Sequence, residues 1–133
     1  MSLKGKNIFL LEDDPINYSV ILTILRQHGA IITHDHWGDT TLSRLKNHPF
    51  PLDLILLDLM LPGQASGYDV YDAIREMPEL DGVPVVAVSA ADPDVEIPKA
   101  REKGFHGFIS KPINRRHFPD QLIEILAGET YWG

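Results

Sequence analysis

Five short runs of apolar residues divide this chain of 133 residues into alternating segments. None of the runs alternates polar with apolar side chains, which is typical of strands buried on both faces of a sheet. They lie at residues 7–11, 30–34, 54–57, 83–88 and 107–110. The segments between them have helical periodicity. Because strands that alternate with helices form parallel sheets through right-handed crossovers, we predict an α/β fold with a doubly wound sheet of five strands and five helices.

The predicted helices carry apolar stripes that would cover such a sheet. The stripes are Ile16, Val20, Ile21, Ile24 and Leu25 in the first helix, Val70, Ala73, Ile74 and Met77 in the third, and Phe118, Leu122, Ile125 and Leu126 in the fifth. The fourth helix is less regular, because Pro98 cannot continue an established helix without losing a hydrogen bond. We therefore expect a short fourth helix that begins near Pro98 and ends before Gly104.

Length and composition indicate a single domain. A chain of this length is long enough to bury a core but too short for two ordinary domains. We expect residues 1–133 to form that domain, with residues 1–5 and 128–133 as terminal extensions. The chain has no cysteine, which excludes a disulfide framework. No apolar stretch approaches the ~20 residues that span a bilayer and no secretory signal is visible, so we expect no membrane association and a cytoplasmic location.

The net charge of −7, from 12 basic and 19 acidic residues, is unfavourable for binding nucleic acids. Proteins neutralise the phosphates of nucleic acids mainly with Lys and Arg side chains. We therefore expect no direct nucleic-acid binding by this domain.

Polar residues follow four of the five apolar runs. Glu12 and Asp13 follow the first run, Asp58 closes the third, Ser89 ends the fourth and Lys111 follows the fifth. Ligands of open parallel sheets bind beyond the carboxyl ends of the strands, where the winding direction reverses. The sequence therefore predicts one site at this edge of the sheet.

The residue types at this edge are suited to phosphoryl transfer. Glu12, Asp13 and Asp58 would repel one another unless a divalent cation lay between them, and Mg²⁺ or another oxygen-seeking ion such as Mn²⁺ fits such a set. The Asp58 carboxylate could then attack a phosphoryl group and form an aspartyl phosphate. Lys111 and the metal would neutralise charge on the transferring oxygens, and the Ser89 hydroxyl could hydrogen-bond the phosphoryl group after transfer.

In these motifs the chain resembles the receiver domains of bacterial two-component response regulators, including those of the chemotaxis type. The resemblance covers nearly the whole chain and implies a flavodoxin-like sheet with strand order 2-1-3-4-5. It also implies a role for each site residue. Glu12 and Asp13 would be the acidic pair that binds metal, Asp58 the phosphoacceptor and a metal ligand, and Met60 a metal ligand through its carbonyl oxygen. Ser89 would be the switch hydroxyl, Phe108 the switch aromatic, and Lys111 the lysine that the family carries before a proline, here Pro112.

The resemblance further implies a signalling switch in place of a metabolic enzyme. A histidine kinase or histidine phosphotransfer protein would donate the phosphoryl group, and the domain would assist its own phosphorylation and dephosphorylation. The new charge would change the surface of the fourth helix, fifth strand and fifth helix, which would act on an unknown target or effector domain and could support a dimer.

Two features depart from the family pattern or refine it. Residues 63–67 (GQASG) contain one residue more than usual before the glycine that opens the third helix, so we expect phosphoryl access to differ. The positions two residues after Asp58 and Ser89 influence loss of the phosphoryl group in this family. Here they are Met60 and Ala91, whose side chains orient water poorly, so we predict slow self-dephosphorylation.

Other functions fit the sequence less well. A haloacid dehalogenase hydrolase would need a second Asp where Met60 stands, which excludes that class. A flavodoxin-like cofactor site would place its phosphate beside Glu12 and Asp13, which would repel it. A degenerate receiver that serves only as a protein-interaction module remains open. His34 and His36 could bind a transition metal, but without a nearby third ligand we interpret them as solvated loop histidines.

Overall fold

A computed structural model describes residues 2–62 and 66–133 of the chain. Within these ranges the strands are β1 (Asn7–Leu11), β2 (Ile31–Asp35), β3 (Leu54–Leu57), β4 (Val85–Ser89), β5 (Gly107–Ser110) and β6 (Tyr131–Trp132). They form one parallel sheet in the order β2-β1-β3-β4-β5-β6. The predicted α/β class and the order of the first five strands are therefore confirmed.

The predicted strand count of five is corrected to six by β6. This strand pairs in parallel with Gly107 and Phe108 at the edge of β5, inside the segment 128–133 that we expected to be an extension. Two residues are too few for a recognisable period in the sequence. Only the tertiary pairing identifies them as a strand.

The helices cover both faces of the sheet. In the described ranges they are α1 (Pro15–Gln27), α2 (Thr41–Lys46), α3 (Gly67–Arg75), α4 (Pro93–Lys103) and α5 (Phe118–Leu126), with a 3₁₀ turn at Pro78–Leu80. Buried side chains of α1 and α5 share one core, and those of α2, α3 and α4 share the core on the opposite face. None of these helices is both long and apolar enough to span a bilayer.

Helix α4 begins earlier than predicted. The Asp92 side chain caps it by accepting a hydrogen bond of 3.0 Å from the backbone N–H of Asp94, and Pro98 lies inside the helix. The expectation of a start near Pro98 is therefore wrong. The cap and Pro93 in the first turn favour helix initiation there, and one absent N–H at an exposed position does not end the helix.

The apolar stripe of α1 is confirmed except at its first member. Ile21, Ile24 and Leu25 are buried, whereas Ile16 is 76% exposed. At 3.6 residues per turn, Ile16 lies about 140° around the helix from Ile21, away from the buried face. The Asp14 carboxylate caps this helix by accepting a hydrogen bond from the N–H of Ile16.

Candidate functional site

The carboxyl edge of the sheet brings Glu12 and Asp58 together. Strands β1 and β3 are adjacent, with Leu11 paired to Leu57, so the next residue of each strand emerges at the same place. The backbone N–H of Asp58 donates to the Leu11 carbonyl oxygen at 3.1 Å, which extends the ladder to the start of the site. Two acidic side chains therefore leave neighbouring strands side by side.

The Asp58 carboxylate is buried and engaged at both oxygens. Its exposed fraction is 8%. Oδ1 accepts a hydrogen bond from the backbone N–H of Met60 at 3.0 Å, and Oδ2 accepts one from Lys111 Nζ at 3.0 Å. These two donors fix the orientation of the carboxylate from opposite sides.

Glu12 is more deeply buried than Asp58. Its exposed fraction is 1%, and Oε2 accepts a hydrogen bond from the backbone N–H of Asp13. Burial, followed by the neighbouring Asp58 carboxyl, raises the pKa of Glu12 to about 7, although Lys111 acts in the opposite direction. Two carboxyl groups in this position are therefore hard to keep ionised without a cation.

Lys111 supplies that cation. It follows β5, and its Nζ lies 2.5 Å from Glu12 Oε1 and 3.0 Å from Asp58 Oδ2. Burial acts to lower the pKa of Lys111, but hydrogen bonds and charges from the two carboxylates outweigh it, so the pKa is raised above its ordinary value. The ammonium group therefore stays charged and bridges the two acids.

Ser89 and Phe108 lie on the neighbouring strands. Ser89 ends β4, is fully buried, and its Oγ accepts a hydrogen bond from the N–H of Ala91 at 3.1 Å. Phe108 lies in β5 and is also fully buried. The Phe108 ring therefore lies inside the core in this structure. The roles predicted for these two residues stay predictions.

The side chains of Asp13 and Met60 are more exposed than those of Glu12, Asp58 and Lys111. The Asp13 side chain is half exposed, and its Oδ1 lies 3.7 Å from His36 Nδ1. Met60 reaches the site through its backbone, and its side chain is 64% exposed. Accordingly, no group of three or more acidic or histidine side chains in residues 2–62 and 66–133 is arranged to hold a metal ion.

The chemistry of the donor set nevertheless fits a hard divalent cation. Two buried carboxylates, from Glu12 and Asp58, already converge on one positive centre, and oxygen ligands of this kind suit Mg²⁺ or Mn²⁺. Asp13 is the next residue along the chain from Glu12, and in this structure its carboxylate lies beside His36.

His34 contacts the acidic loop, and the interpretation of it as a solvated loop histidine is wrong. It lies in β2 and is partly buried, so it is not a solvated loop residue. Its ring stacks on Tyr18 of α1, with centroids 3.8 Å apart, and its Nε2 lies 2.8 Å from the Glu12 carbonyl oxygen. Since a carbonyl oxygen only accepts, the Nε2 atom carries the proton. The contact depends on the register of β1 with β2, in which Leu10 pairs with His34, and the expected strand order does not give that register.

The insertion predicted within residues 63–67 falls mostly on residues 63–65, outside the described residues. Its described end is tightly packed. A Cβ atom added to Gly67 would lie 2.6 Å from Leu59 Cα and 2.7 Å from the Asp58 carbonyl oxygen. The glycine at this position therefore permits α3 to begin directly beside Asp58.

A flavodoxin-like parallel sheet with an acid–lysine cluster at its carboxyl edge defines a class of α/β proteins that carry their chemistry at the strand ends. The family of response regulator receiver domains matches residues 8–123 of the chain. The chain therefore belongs to the response regulator receiver family, and it is a domain of two-component signalling.

Individual relatives agree with this assignment. The polar-differentiation response regulator DivK of Brucella ovis is 31% identical over 124 residues, which are 92% of this chain and 97% of that protein. The receiver domain of a sensor histidine kinase from Pseudomonas aeruginosa PAO1, solved with magnesium in its active site cleft, has a TM-score of 0.78 and 26% identity, with 94% of this chain and 99% of that chain covered.

A longer relative shares the fold alone. The response regulator DrrB of Thermotoga maritima has a TM-score of 0.76 and 21% identity. The alignment covers 95% of this chain and 55% of that chain, so the similarity extends over about half of the longer protein.

Proposed function

We propose that the domain accepts a phosphoryl group on Asp58 from a phosphohistidine of a histidine kinase or histidine phosphotransfer protein. The observation that supports this most directly is the buried Asp58 carboxylate, which is held between Lys111 Nζ and the N–H of Met60 at the open edge of the sheet. The family assignment supports the same reading. Asp58 lies at the carboxyl edge of the sheet, and its orientation is fixed before a donor arrives.

In the proposed reaction a carboxylate oxygen of Asp58 attacks phosphorus, the new P–O bond forms, and the P–N bond to the donor histidine breaks. The donor imidazole keeps the electron pair of that bond and takes up a proton. Lys111 is placed to stabilise negative charge on the phosphoryl oxygens, because its ammonium already contacts Asp58. The Ser89 hydroxyl would then donate a hydrogen bond to a phosphoryl oxygen.

Glu12, Asp13, Asp58 and the carbonyl oxygen of Met60 would hold a divalent cation such as Mg²⁺. When bound, the ion supplies positive charge that neutralises the phosphoryl oxygens and the crowded carboxylates. The raised pKa of Glu12 supports this assignment, since a carboxyl group crowded by burial and by Asp58 gains most from a nearby cation.

The proposed output is a change in the surface formed by α4, β5 and α5, with Ser89 and Phe108 as the connecting residues. A downstream target or effector domain would bind there, or a second copy of the chain.

We propose further that the receiver domain comprises residues 1–133, that it works in the cytoplasm, and that it binds neither nucleic acid nor membrane by itself. The acidic net charge of −7 supports the absence of a nucleic-acid surface.

A small phosphodonor tests the central proposal. Incubation with acetyl phosphate and Mg²⁺ should add one phosphoryl group to the wild type, measured by intact mass, and Asp58→Asn should remain unmodified. Asp53→Asn is a matched control, because Asp53 lies at the opposite end of β3 and accepts a hydrogen bond from the N–H of Asn7. It should be modified like the wild type.

The same phosphorylation experiment also tests the alternative function, a degenerate receiver that serves only as a protein-interaction module. If the wild type takes up no phosphoryl group and shows no Asp58-dependent response to beryllofluoride with Mg²⁺, the proposal is wrong and the degenerate receiver becomes the better reading. Modification that persists in Asp58→Asn would assign the chemistry to another residue.

We also propose a long-lived aspartyl phosphate. The Met60 side chain is exposed and apolar, and Ala91 offers only a methyl group, so neither side chain orients an attacking water. The decay of the phosphorylated protein in Mg²⁺ measures this directly. A lifetime of seconds would contradict the proposal.

A further inference from the structure

Strand β6 lies on the surface that the proposed function uses for output. Tyr131 and Trp132 pair in parallel with Gly107 and Phe108 of β5, and the N–H of Gly133 donates to the Phe108 carbonyl oxygen at 2.9 Å. The strand lies beyond the residues 8–123 that match the receiver family. Residues 129–133, called the tail segment below, are therefore a feature of this chain that the family match does not cover.

Side chains anchor the tail segment on both faces of the sheet. Trp132 packs against the core shared by α2, α3 and α4, and the Arg101 guanidinium of α4 lies 5.1 Å from the centre of its ring. Tyr131 packs against the opposite core, which α1 and α5 share. Cation–π contacts and partial burial of two aromatic rings stabilise such an attachment. The tail segment is therefore a docked element.

Gly107 allows the tail segment to lie close to β5. A Cβ atom added at Gly107 would be 2.9 Å from the Tyr131 carbonyl oxygen and 3.1 Å from Ile125 Cδ1. The glycine thus removes the side chain that would hold the two strands apart. Close backbone approach brings the tail segment directly beside the next residue of β5, which is Phe108.

The tail segment closes the route by which Phe108 could leave the core. Phe108 and Trp132 are register partners on adjacent parallel strands, and both pack in the same core. Since β6 lies between β5 and the free edge of the sheet, a Phe108 ring that moves towards that edge meets Trp132. Docking of the tail segment therefore favours the fully buried Phe108 observed in this structure.

We propose that docking of the tail segment is coupled to phosphorylation of Asp58 through Phe108, so that each stabilises the other. The coupling rests on the proposed function, in which Ser89 and Phe108 connect the phosphoryl site to the output surface, and it assigns the buried position of Phe108 to the phosphorylated state. Because thermodynamic coupling between two sites is reciprocal, the phosphoryl group tightens tail docking by the same factor by which docking favours the phosphorylated state. The tail segment thus forms part of the output face, and the phosphoryl state holds it in place.

Amide hydrogen exchange measured by NMR tests the coupling from the side of the phosphoryl site. The N–H groups of Met60 and Ala91, bonded to Asp58 Oδ1 and Ser89 Oγ, report the site, and the N–H of Gly133 reports the tail segment. Beryllofluoride with Mg²⁺ should shift the first two signals and slow exchange at Gly133 about tenfold, within the usual range of coupling between sites.

The outcomes separate the two proposals. Shifts at Met60 and Ala91 with unchanged exchange at Gly133 would overturn the coupling and leave the proposed function intact. No shift at Met60 and Ala91 would overturn the proposed function and the coupling with it. Faster exchange at Gly133 would overturn the coupling by reversing its sign.

Substitutions test the coupling from the side of the tail segment. Trp132→Ala should weaken beryllofluoride binding about tenfold, and Arg101→Gln, which removes only the cation over the ring, should weaken it less. Trp37→Ala is the matched control, because Trp37 is partly buried against the same core but lies outside the tail segment and α4. Equal affinity in Trp132→Ala, Arg101→Gln and Trp37→Ala, all of them shown to be folded by circular dichroism, would overturn the coupling.

Discussion

Lys111 Nζ lies 3.0 Å from Asp58 Oδ2 and bridges that carboxylate to Glu12. Replacing Lys111 with Met removes the ammonium group from both acids. Phosphorylation by acetyl phosphate should slow about 100-fold, because the charge that stabilises the transferring oxygens is lost. Mg²⁺ binding should be retained or become tighter, since the competing cation is gone. Stopped-flow fluorescence and a Mg²⁺ titration measure the two effects separately.

Lys103→Met is the control for this prediction. Lys103 also binds a carboxylate, with Nζ 2.9 Å from Asp72 Oδ1, but the pair lies at the surface. Exposed ion pairs contribute only about 0–1 kcal/mol to the free energy of unfolding, so Lys103→Met should leave the fold intact. The phosphorylation rate should therefore be unchanged. An equal loss of rate in both variants would mean that Lys111 acts through general charge or stability.

His34 should position the acidic loop through its bond to the Glu12 carbonyl oxygen. His34→Phe keeps a ring that can stack on Tyr18 but removes the donor. Loss of one such bond corresponds to about 1 kcal/mol, so beryllofluoride affinity should fall roughly fivefold. His34→Gln, which can still donate, should recover part of the affinity. Isothermal titration calorimetry in Mg²⁺ measures all three proteins.

His28→Phe provides a comparison for the histidine prediction. His28 also bonds a backbone carbonyl, that of Ile24 at 2.9 Å, but at the end of α1 away from the acidic loop. Its substitution should lower thermal stability without changing beryllofluoride affinity. Similar affinity losses in His28→Phe and His34→Phe would show that the effect is not specific to the acidic loop.

Gly67→Ala should displace Asp58. The new methyl group would lie within 2.7 Å of two backbone atoms, Leu59 Cα and the Asp58 carbonyl oxygen, so the start of α3 or the end of β3 must shift. Overpacking of this kind destabilises by about 1–3 kcal/mol, and we expect slower phosphorylation in addition. Urea unfolding and phosphorylation rates measure the two effects. Gly38→Ala, where an added Cβ meets no atom within 4 Å, should change neither.

The positions of the site residues could be predicted because each of them ends a buried strand. An apolar run fixes where a strand stops, and parallel strands stop at one edge, so Glu12, Asp58 and Lys111 had to meet there. The direction of the Asp13 side chain could not be predicted. It depends on His36, which comes from a different strand end, and side-chain rotamers do not follow from the backbone period.

Structural features that depend on tertiary contacts could not be predicted from the sequence pattern either. The two residues of β6 are identified only by their pairing with β5, and the contact of His34 with Glu12 only by the register of β2 with β1. Pro98 led to the opposite error, because local propensity predicted a break where the capped α4 continues. In all three cases neighbouring elements decided the local structure.

His106 should make stability depend on pH. Burial, and then the positive charge of Arg75, lowers the pKa of His106 from its ordinary value of 6.5. Between the lowered value and 6.5 the unfolded chain binds more protons than the folded chain, so this contribution to stability is complete above 6.5 and is lost as the pH falls. In His106→Asn this part of the pH dependence should disappear.

Urea unfolding from about pH 8 to about pH 5 measures the free energy of unfolding of both proteins across the range in which histidine titrates. The difference at about pH 8, where the ring is neutral in both states, gives the cost of the substitution itself. The stability gap between the two proteins should then narrow as the pH falls, and a constant gap would show that His106 does not cause the pH dependence.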